Sequence, residues 1–405
     1  MATQSNTSLN RTLERELKTR LRGKFLSDKM TRILYSTDAS SYQIEPLGVI
    51  LPKNTEDVVS TVQVVSAQGV SIIPRGGGTS LSGQGIGEGI ILDLTPHLNQ
   101  ILEINPAEKW ARVQAGVLLD QLNAAVKPHG LMIGPDPSSS AASTLGGMIA
   151  NNSTGSHSTR YGMMIDHVLE VEVVLSDGSQ AHFKPRTEKE VAELAQQKTL
   201  EGKLYREIPS LLQRYEKAID IGYPKTWRNV AGYNLKRFLE EKRAGKPFNL
   251  SPLIVSSEGT LAIILSAKLN LVQRPKYSNL VLLFLETLQE ALEIVPDILT
   301  HKPGAVELVD RYFIDLTRQH AGYRDRLDFV HGNPGAILIT EFTGDTQEEL
   351  QQQSEALVTA LTANGFSGEI VQRSQPAQIA EVWEVRKAGL GLLLSMRGDA
   401  KPLSF

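Results

Sequence analysis

The stretch Pro74-Arg75-Gly76-Gly77-Gly78-Thr79-Ser80-Leu81-Ser82-Gly83-Gln84-Gly85 decides how this chain reads. Residues without a Cβ can take positive φ and turn successive N–H groups into one concavity, whose partial positive charge suits a phosphate. Thr79, Ser80 and Ser82 add hydroxyl donors. A lone glycine cluster reads equally well as a surface turn, so the flanks arbitrate. Gly69 to Pro74 upstream and Gly89 to Leu94 downstream each read as a short buried strand. That context excludes the two familiar nucleotide loops, which need a helix directly after the glycines. A dinucleotide fingerprint opens a helix, whereas this run passes through Gly85, Gly87 and Gly89 into a strand. Gly78 and Gly83 have P-loop spacing, but Gln84-Gly85 stands where Lys and Ser or Thr are required. An anion here is expected to be held by loop amides.

A second loop follows: Gly134-Pro135-Asp136-Pro137-Ser138-Ser139-Ser140, then Ser143-Thr144-Leu145-Gly146-Gly147-Met148 through Asn151 to Gly155, then Arg160-Tyr161-Gly162. It has little bulk and no apolar alternation, so it reads as a ligand wall rather than core or linker. A third signature, Ser256-Ser257-Glu258-Gly259-Thr260-Leu261-Ala262-Ile263-Ile264, is a turn feeding a strand.

Around these motifs, Gly48 to Pro52 reads as a strand, and Asn54 or Thr55 caps a helix running to Gly69, a βαβ opening. Trp110 to Val117 is a strand leading into a helix that ends at His129-Gly130. Val168 to Leu175 alternates and meets Asp177-Gly178, a hairpin signal. Residues 186–250 form an insertion rich in charge and helix formers. Near Pro275 the pattern changes: Leu280 to Leu285 and Ala336 to Phe342 read as strands, each followed by a helix, as in an α+β unit.

Composition sets plain bounds. A chain of 405 residues that is 41% hydrophobic can bury two substantial cores. Net charge is −3, from 42 Lys+Arg against 45 Asp+Glu, so nothing argues for nucleic acid. No apolar leader and no run near roughly 18 apolar residues stands out. Leu9, Leu13, Leu17, Leu21 and Phe25 recur at four-residue steps among basic residues. This stripe suits a membrane surface or partner helix, but the interleaved Glu14 and Glu16 favour packing on its own domain.

With three motifs in this order, the chain resembles FAD-binding oxidoreductases of the vanillyl-alcohol-oxidase and p-cresol-methylhydroxylase (PCMH) type. Within them it is similar to the branch that oxidises D-2-hydroxy acids: D-lactate dehydrogenases, the glycolate oxidase flavin subunit and D-2-hydroxyglutarate dehydrogenases. The likeness implies an α+β fold: an N-terminal helical extension (1–41), a two-subdomain PCMH-type FAD-binding domain (42–275), and an α+β cap or substrate domain with an antiparallel sheet (276–405), truncated. By the resemblance, Arg75, Gly76, Gly77, Gly78, Thr79, Ser80 and Gly83, with Gln84, hold the FAD pyrophosphate. Pro135, Ser138, Thr144, Gly146, Gly147, Asn151, Gly155 and Tyr161 line the pyrophosphate and isoalloxazine, and Glu258 and Gly259 through Ile264 lie along the cofactor. The segment Lys225 to Leu235 is placed over the flavin. Relatives with covalent flavin carry a His where this chain has Thr79, so FAD is expected to be non-covalent. A count of Cys 0 excludes cysteinyl attachment, disulfides and a cysteine-ligated iron–sulfur cluster within these residues.

Oxidising a 2-hydroxy acid requires a cation for the carboxylate, a base for the hydroxyl proton, and an α-carbon held over the flavin. Arg386, in Trp383-Glu384-Val385-Arg386-Lys387-Ala388-Gly389, matches the Arg that forks onto substrate carboxylate; read alone, it is an exposed helix Arg paired with Glu381 or Glu384. Lys401 and Arg397 are the weaker candidates. In the resembling enzymes an acidic motif and a histidine pair follow, and the sequence stops at Phe405 before any such segment. The expectation is an N-terminal portion of a longer or split enzyme, with no metal site of its own. His97 and His129 read as surface caps, His301, His320 and His331 as scattered loop residues, and His157 as a loop histidine satisfied by backbone unless it touches flavin. Expected partners are a small 2-hydroxy acid and an iron–sulfur or quinone-linked acceptor, in the cytoplasm or peripheral to the inner face of a membrane. The competing reading is a flavin-binding electron-transfer subunit or inactive fragment. A reductase acting on nucleotide-sugar cell-wall precursors would share the fold, but no motif supports it.

Overall fold

The computed structural model describes residues 12–394. The glycine run sits in a small parallel sheet. Strands β1 (Lys24–Leu26), β2 (Gly48–Leu51), β3 (Ile72–Arg75) and β4 (Ile90–Asp93) lie in the order β1-β2-β4-β3, with β4 parallel to both neighbours. The crossover from β2 to β3 is the helix Thr55–Ala67, begun by the Asn54 side chain accepting from the Asp57 N–H and followed by Gly69 at φ +66°. Asp57 is buried yet satisfied: its carboxylate accepts the backbone N–H groups of Arg22, Gly23 and Lys53 at 2.8 Å each. Those bonds fold the N-terminus against the sheet. Leu13 and Leu17, on the helical stretch 12–20, are wholly buried in the first domain's core. The four-residue stripe therefore packs inward, and it breaks before Phe25, which lies in β1. Leu9 and Arg11 lie outside the described residues.

A second sheet carries the other two motifs. It comprises β5 (Ile101–Asn105), β6 (Trp110–Gln114), β8 (Val168–Leu175), β9 (Gln180–Phe183) and β10 (Ala262–Asn270), ordered β5-β6-β10-β8-β9 and antiparallel throughout. Gly178 makes the β8–β9 turn at φ +82°. Short strands β7 (Leu131–Met132) and β11 (Val272–Gln273) pair at its side. One continuous core joins both sheets with the helices of the insertion, Glu188–Ala195, Leu200–Gly222 and Leu235–Arg243.

Pro275 separates β11 from the third sheet: β12 (Tyr277–Leu285), β13 (Ala305–Asp310), β14 (Ala336–Gly344) and β15 (Ile370–Arg373), ordered β13-β14-β12-β15 and fully antiparallel. The unbroken apolar run of β12 reflects burial on both faces. Leu280, Leu282 and Phe284 meet helices Arg311–Gln319 and Pro376–Leu394, while Val281, Leu283 and Leu285 meet helices Leu288–Thr300 and Gln347–Ala363.

Candidate active site

Three sequence-distant segments converge on one cleft of about 820 Å³, part of it open to solvent: Pro74–Gly85 at and beyond the end of β3, Ser143–Ser153 around the helix Leu145–Ala150, and Glu258–Ile264 leading into β10. Of the residues singled out by sequence, Arg75, Gly76, Gly77, Gly78, Thr79, Ser80, Gln84, Thr144, Gly146, Gly147, Asn151, Glu258, Gly259 and Ile264 line it. The loops interlock. A Cβ on Gly76 would collide with the Thr144 side chain, one on Gly77 with the Ala142 carbonyl, and one on Gly146 would come within 2.7 Å of the Ala115 Cβ. Thr79 and Ser143 hydroxyls share a hydrogen bond of 3.3 Å, and Asn151 donates to Ser80 Oγ at 3.2 Å. Ser256 and Glu258 hold left-handed backbone, φ +68° and +50°, and donate to the Ile149 and Ala150 carbonyls at the helix end. Absent side chains thus serve loop-to-loop contact as well as access for a ligand.

Arg75 lines the cleft, yet its guanidinium is engaged within the chain. Its guanidinium donates to the carbonyls of Tyr35, Thr37 and Gly85 at 2.9–3.3 Å and lies over the Tyr35 ring at 5.2 Å. Tyr35 in turn donates to Asp93 at 2.6 Å; burial, and then that carboxylate, push its phenol well above the usual range. Through Gly85, Arg75 closes the glycine loop on itself.

Five candidates stand outside the cleft lining. Gly83 packs on the Tyr42 ring, Pro135 is buried, Ser138 is exposed, Gly155 abuts Asp136, and Tyr161 stands at the junction between the domains. The segment 225–235 ties into the second loop and the third signature: Asn152 donates to the Asn229 carbonyl, Ser256 to the Val230 carbonyl, and Tyr233 bonds to Thr260. Arg386 pairs with neither Glu381 nor Glu384 but with Glu307 on β13, through Nε at 2.7 Å and Nη2 at 2.5 Å. Arg397 and Lys401 lie outside the described residues.

His157 departs furthest from expectation. Two carboxylates, not backbone, satisfy it: Nδ1 lies 2.6 Å from Asp136 Oδ2, and Nε2 bonds Glu341 Oε2 on β14. Burial opposes the charged ring, but the hydrogen bonds and charges of Asp136 and Glu341 outweigh it and raise His157 to about 10. Sequence reasoning missed Glu341; the signal was a lone carboxylate within the apolar strand Ala336 to Phe342.

The residues present fit FAD. The cleft offers the left-handed glycine turn at Gly78 and several hydroxyls, and the buried oxygens Gln84 Oε1 and, beside Glu258, Ser257 Oγ have no hydrogen-bond partner among the described residues.

Fold and cleft together define a two-domain flavoprotein. A family model described as an FAD binding domain matches residues 46–195, and one described as the FAD linked oxidases, C-terminal domain, matches residues 274–405. D-2-hydroxyglutarate dehydrogenase of Pseudomonas putida is 34% identical over 394 residues, covering 95% of this chain and 39% of that protein. Glycolate oxidase subunit GlcD of Bacillus subtilis is 34% identical over 370 residues, covering 90% and 66%. The crystal structure of p-cresol methylhydroxylase with substrate bound superimposes with a TM-score of 0.64 at 15% identity, over 94% of this chain and 71% of that one. The chain belongs to the FAD-linked oxidases, its fold is like that of p-cresol methylhydroxylase, and its cofactor is FAD. It spans 39% of the length of the Pseudomonas dehydrogenase. Among the described residues, no helix is long and apolar enough to cross a membrane.

Proposed function

We propose that the chain is the FAD- and substrate-binding part of a dehydrogenase for D-2-hydroxy acids of the D-2-hydroxyglutarate, D-lactate or glycolate type. The supporting observation is that three ordered motifs meet on one cleft in a chain 34% identical to a D-2-hydroxyglutarate dehydrogenase. When bound, FAD supplies the hydride acceptor; Thr79, at the position where covalent relatives carry His, supports non-covalent attachment. In the reaction the C–H bond of the α-carbon gives up a hydride, the hydroxyl gives up a proton, and the product is the 2-oxo acid. Gly76, Gly77 and Gly78 bring amides to the pyrophosphate, and Thr79, Ser80 and Asn151 set the hydroxyl and amide contacts around it. Arg386 receives the substrate carboxylate. Glu307 occupies the Nε/Nη2 edge of its guanidinium, which fixes the plane of the fork and leaves the Nη1/Nη2 end as a second edge for a carboxylate. An iron–sulfur or quinone-linked acceptor and a cytoplasmic or membrane-peripheral location accompany this reading.

The Glu307 pair also favours a second reading, an electron-transfer subunit in which Arg386 is only structural. The visible spectrum of the purified chain, before and after acid precipitation and then on anaerobic addition of D-2-hydroxyglutarate, D-lactate or glycolate, separates them. Flavin released by acid and bleached by one of these acids supports the dehydrogenase. Flavin bound but unbleached supports the subunit, and absence of flavin overturns the cleft assignment.

A further inference from the structure

We propose that His157 is a positioning residue: held between Asp136 of the first domain and Glu341 of the second, it fixes the cap against the cofactor domain, so that a substrate gripped by the cap meets FAD in one register. Only that last consequence rests on the dehydrogenase reading.

The bridge joins residues 184 positions apart in sequence. Asp136 grips the histidine twice, its Oδ1 accepting the His157 backbone N–H at 3.1 Å and its Oδ2 lying 2.6 Å from Nδ1. A neutral imidazole has one donor and one acceptor nitrogen, whereas ionised carboxylates only accept, so both ring bonds are satisfied only when both nitrogens carry protons. A neutral ring would turn a lone pair toward one carboxylate and leave Glu341, whose side chain is 6% exposed, without its counter-charge. The ring is also walled by Trp383 of helix Pro376–Leu394, at 5.7 Å between centroids, and the Trp383 Nε1–H points to the other Glu341 oxygen at 3.4 Å. Neighbouring contacts run the same way across the junction: Arg160 donates to the Thr343 carbonyl and hydroxyl at 2.8 Å each, and Thr159 to the Gly304 carbonyl at 3.0 Å. None of these pairs consists of two charged groups. Among these contacts, His157 with its two carboxylates is the one that pH can release.

The titratable and charged groups facing the ring are Asp136 from its loop, Tyr161 and Arg160 from its own segment, and Glu341 from β14; the helix contributes Trp383, which carries no charge. With the ring raised from 6.5 to about 10, the bridge's contribution is complete below the ordinary histidine value and is lost as pH rises through about 10. Removing either carboxylate moves that loss to lower pH.

The test uses the flavin-loaded chain with ¹⁵N-labelled histidine, as wild type, His157→Gln and Glu341→Gln. One ring signal should titrate near 10, be missing from His157→Gln, and shift down by at least about one pH unit in Glu341→Gln. Amide exchange in 155–161 and 336–344 should quicken in both variants. With the hydroxy acid that bleaches wild type, KM should rise about fivefold or more while kcat holds within about twofold, and His157→Lys, which keeps a cation, should recover part of the loss. A His157 signal titrating near 6.5, or one indifferent to Glu341→Gln, overturns the bridge. An unchanged KM despite the shifted titration overturns the positioning role. Should His157→Gln fail to fold, Glu341→Gln alone decides. If no hydroxy acid bleaches the wild type, the dehydrogenase reading fails, while the titration and exchange still judge the bridge.

Discussion

The glycine cleft and the domain junction build their sites from opposite materials. In the cleft, the architecture lies in what side chains leave out: Gly76, Gly77 and Gly146 let neighbouring segments approach closely, and Arg75 donates to the carbonyls of Tyr35, Thr37 and Gly85. At the junction, long-range folding delivers the partner: Glu341 reaches His157 across it, as Glu307 reaches Arg386 within the second domain. A backbone-built site is fixed by residue type over a short window. A side-chain-built site exists only after the sheets have docked.

That contrast makes the two regions separable by mutation. The largest effect is expected for Gly77→Leu, whose Cβ would strike the Ala142 carbonyl, a backbone atom with nowhere to move. Flavin content, read from the ratio of visible to ultraviolet absorbance, should fall to background while the chain stays soluble, and normal FAD occupancy would sink the cradle. Next, Arg386→Gln should reverse the pattern, with full flavin and kcat/KM for the hydroxy acid down by about a hundredfold, the scale of one lost charged carboxylate contact. A smaller loss, within about threefold, would return Arg386 to a structural partner of Glu307. The pH dependence at His157 sharpens the same contrast, since wild-type KM should stay flat across neutral pH and climb only toward about 10. Stopped-flow bleaching between pH 7 and 10 measures it. The smallest effect is expected for Gln84→Leu, which removes from a cleft-lining residue a buried oxygen that has no partner among the described residues. One hydrogen bond of roughly 1 kcal/mol corresponds to FAD binding weakened about fivefold, by titration of the apoprotein, with no change in KM for the acid.

Much of the first domain was legible locally. The β2-helix-β3 opening, the β8–β9 hairpin at Asp177-Gly178, and the strand-flanked glycine run each depend on neighbours within a few residues. Positive φ at Gly69, Gly78, Gly83 and Gly178 shows why glycine occupies those turns. The N-terminal stripe was legible only in part: its period identified a helix, but Phe25 belongs to a strand because Asp57, more than thirty positions away, takes the N–H groups of Arg22 and Gly23. In the second domain β12 and β14 could be read from their apolar runs, whereas β13, with exposed and half-buried positions at the sheet's edge, carries a weaker signal.

By itself the sequence determined where the chain can bend, approach and bury: glycines, hydroxyls and apolar runs act through local sterics and hydration, so their spacing carries the cleft and the cofactor's family. Tertiary structure alone decided which charges meet. Arg386 could have paired with Glu381 or Glu384 along its own helix, and His157 with nearby backbone, yet Glu307 and Glu341 hold them. The reason is that a charge-assisted bond depends on distance and burial in space, and neither is encoded within the few residues around a side chain.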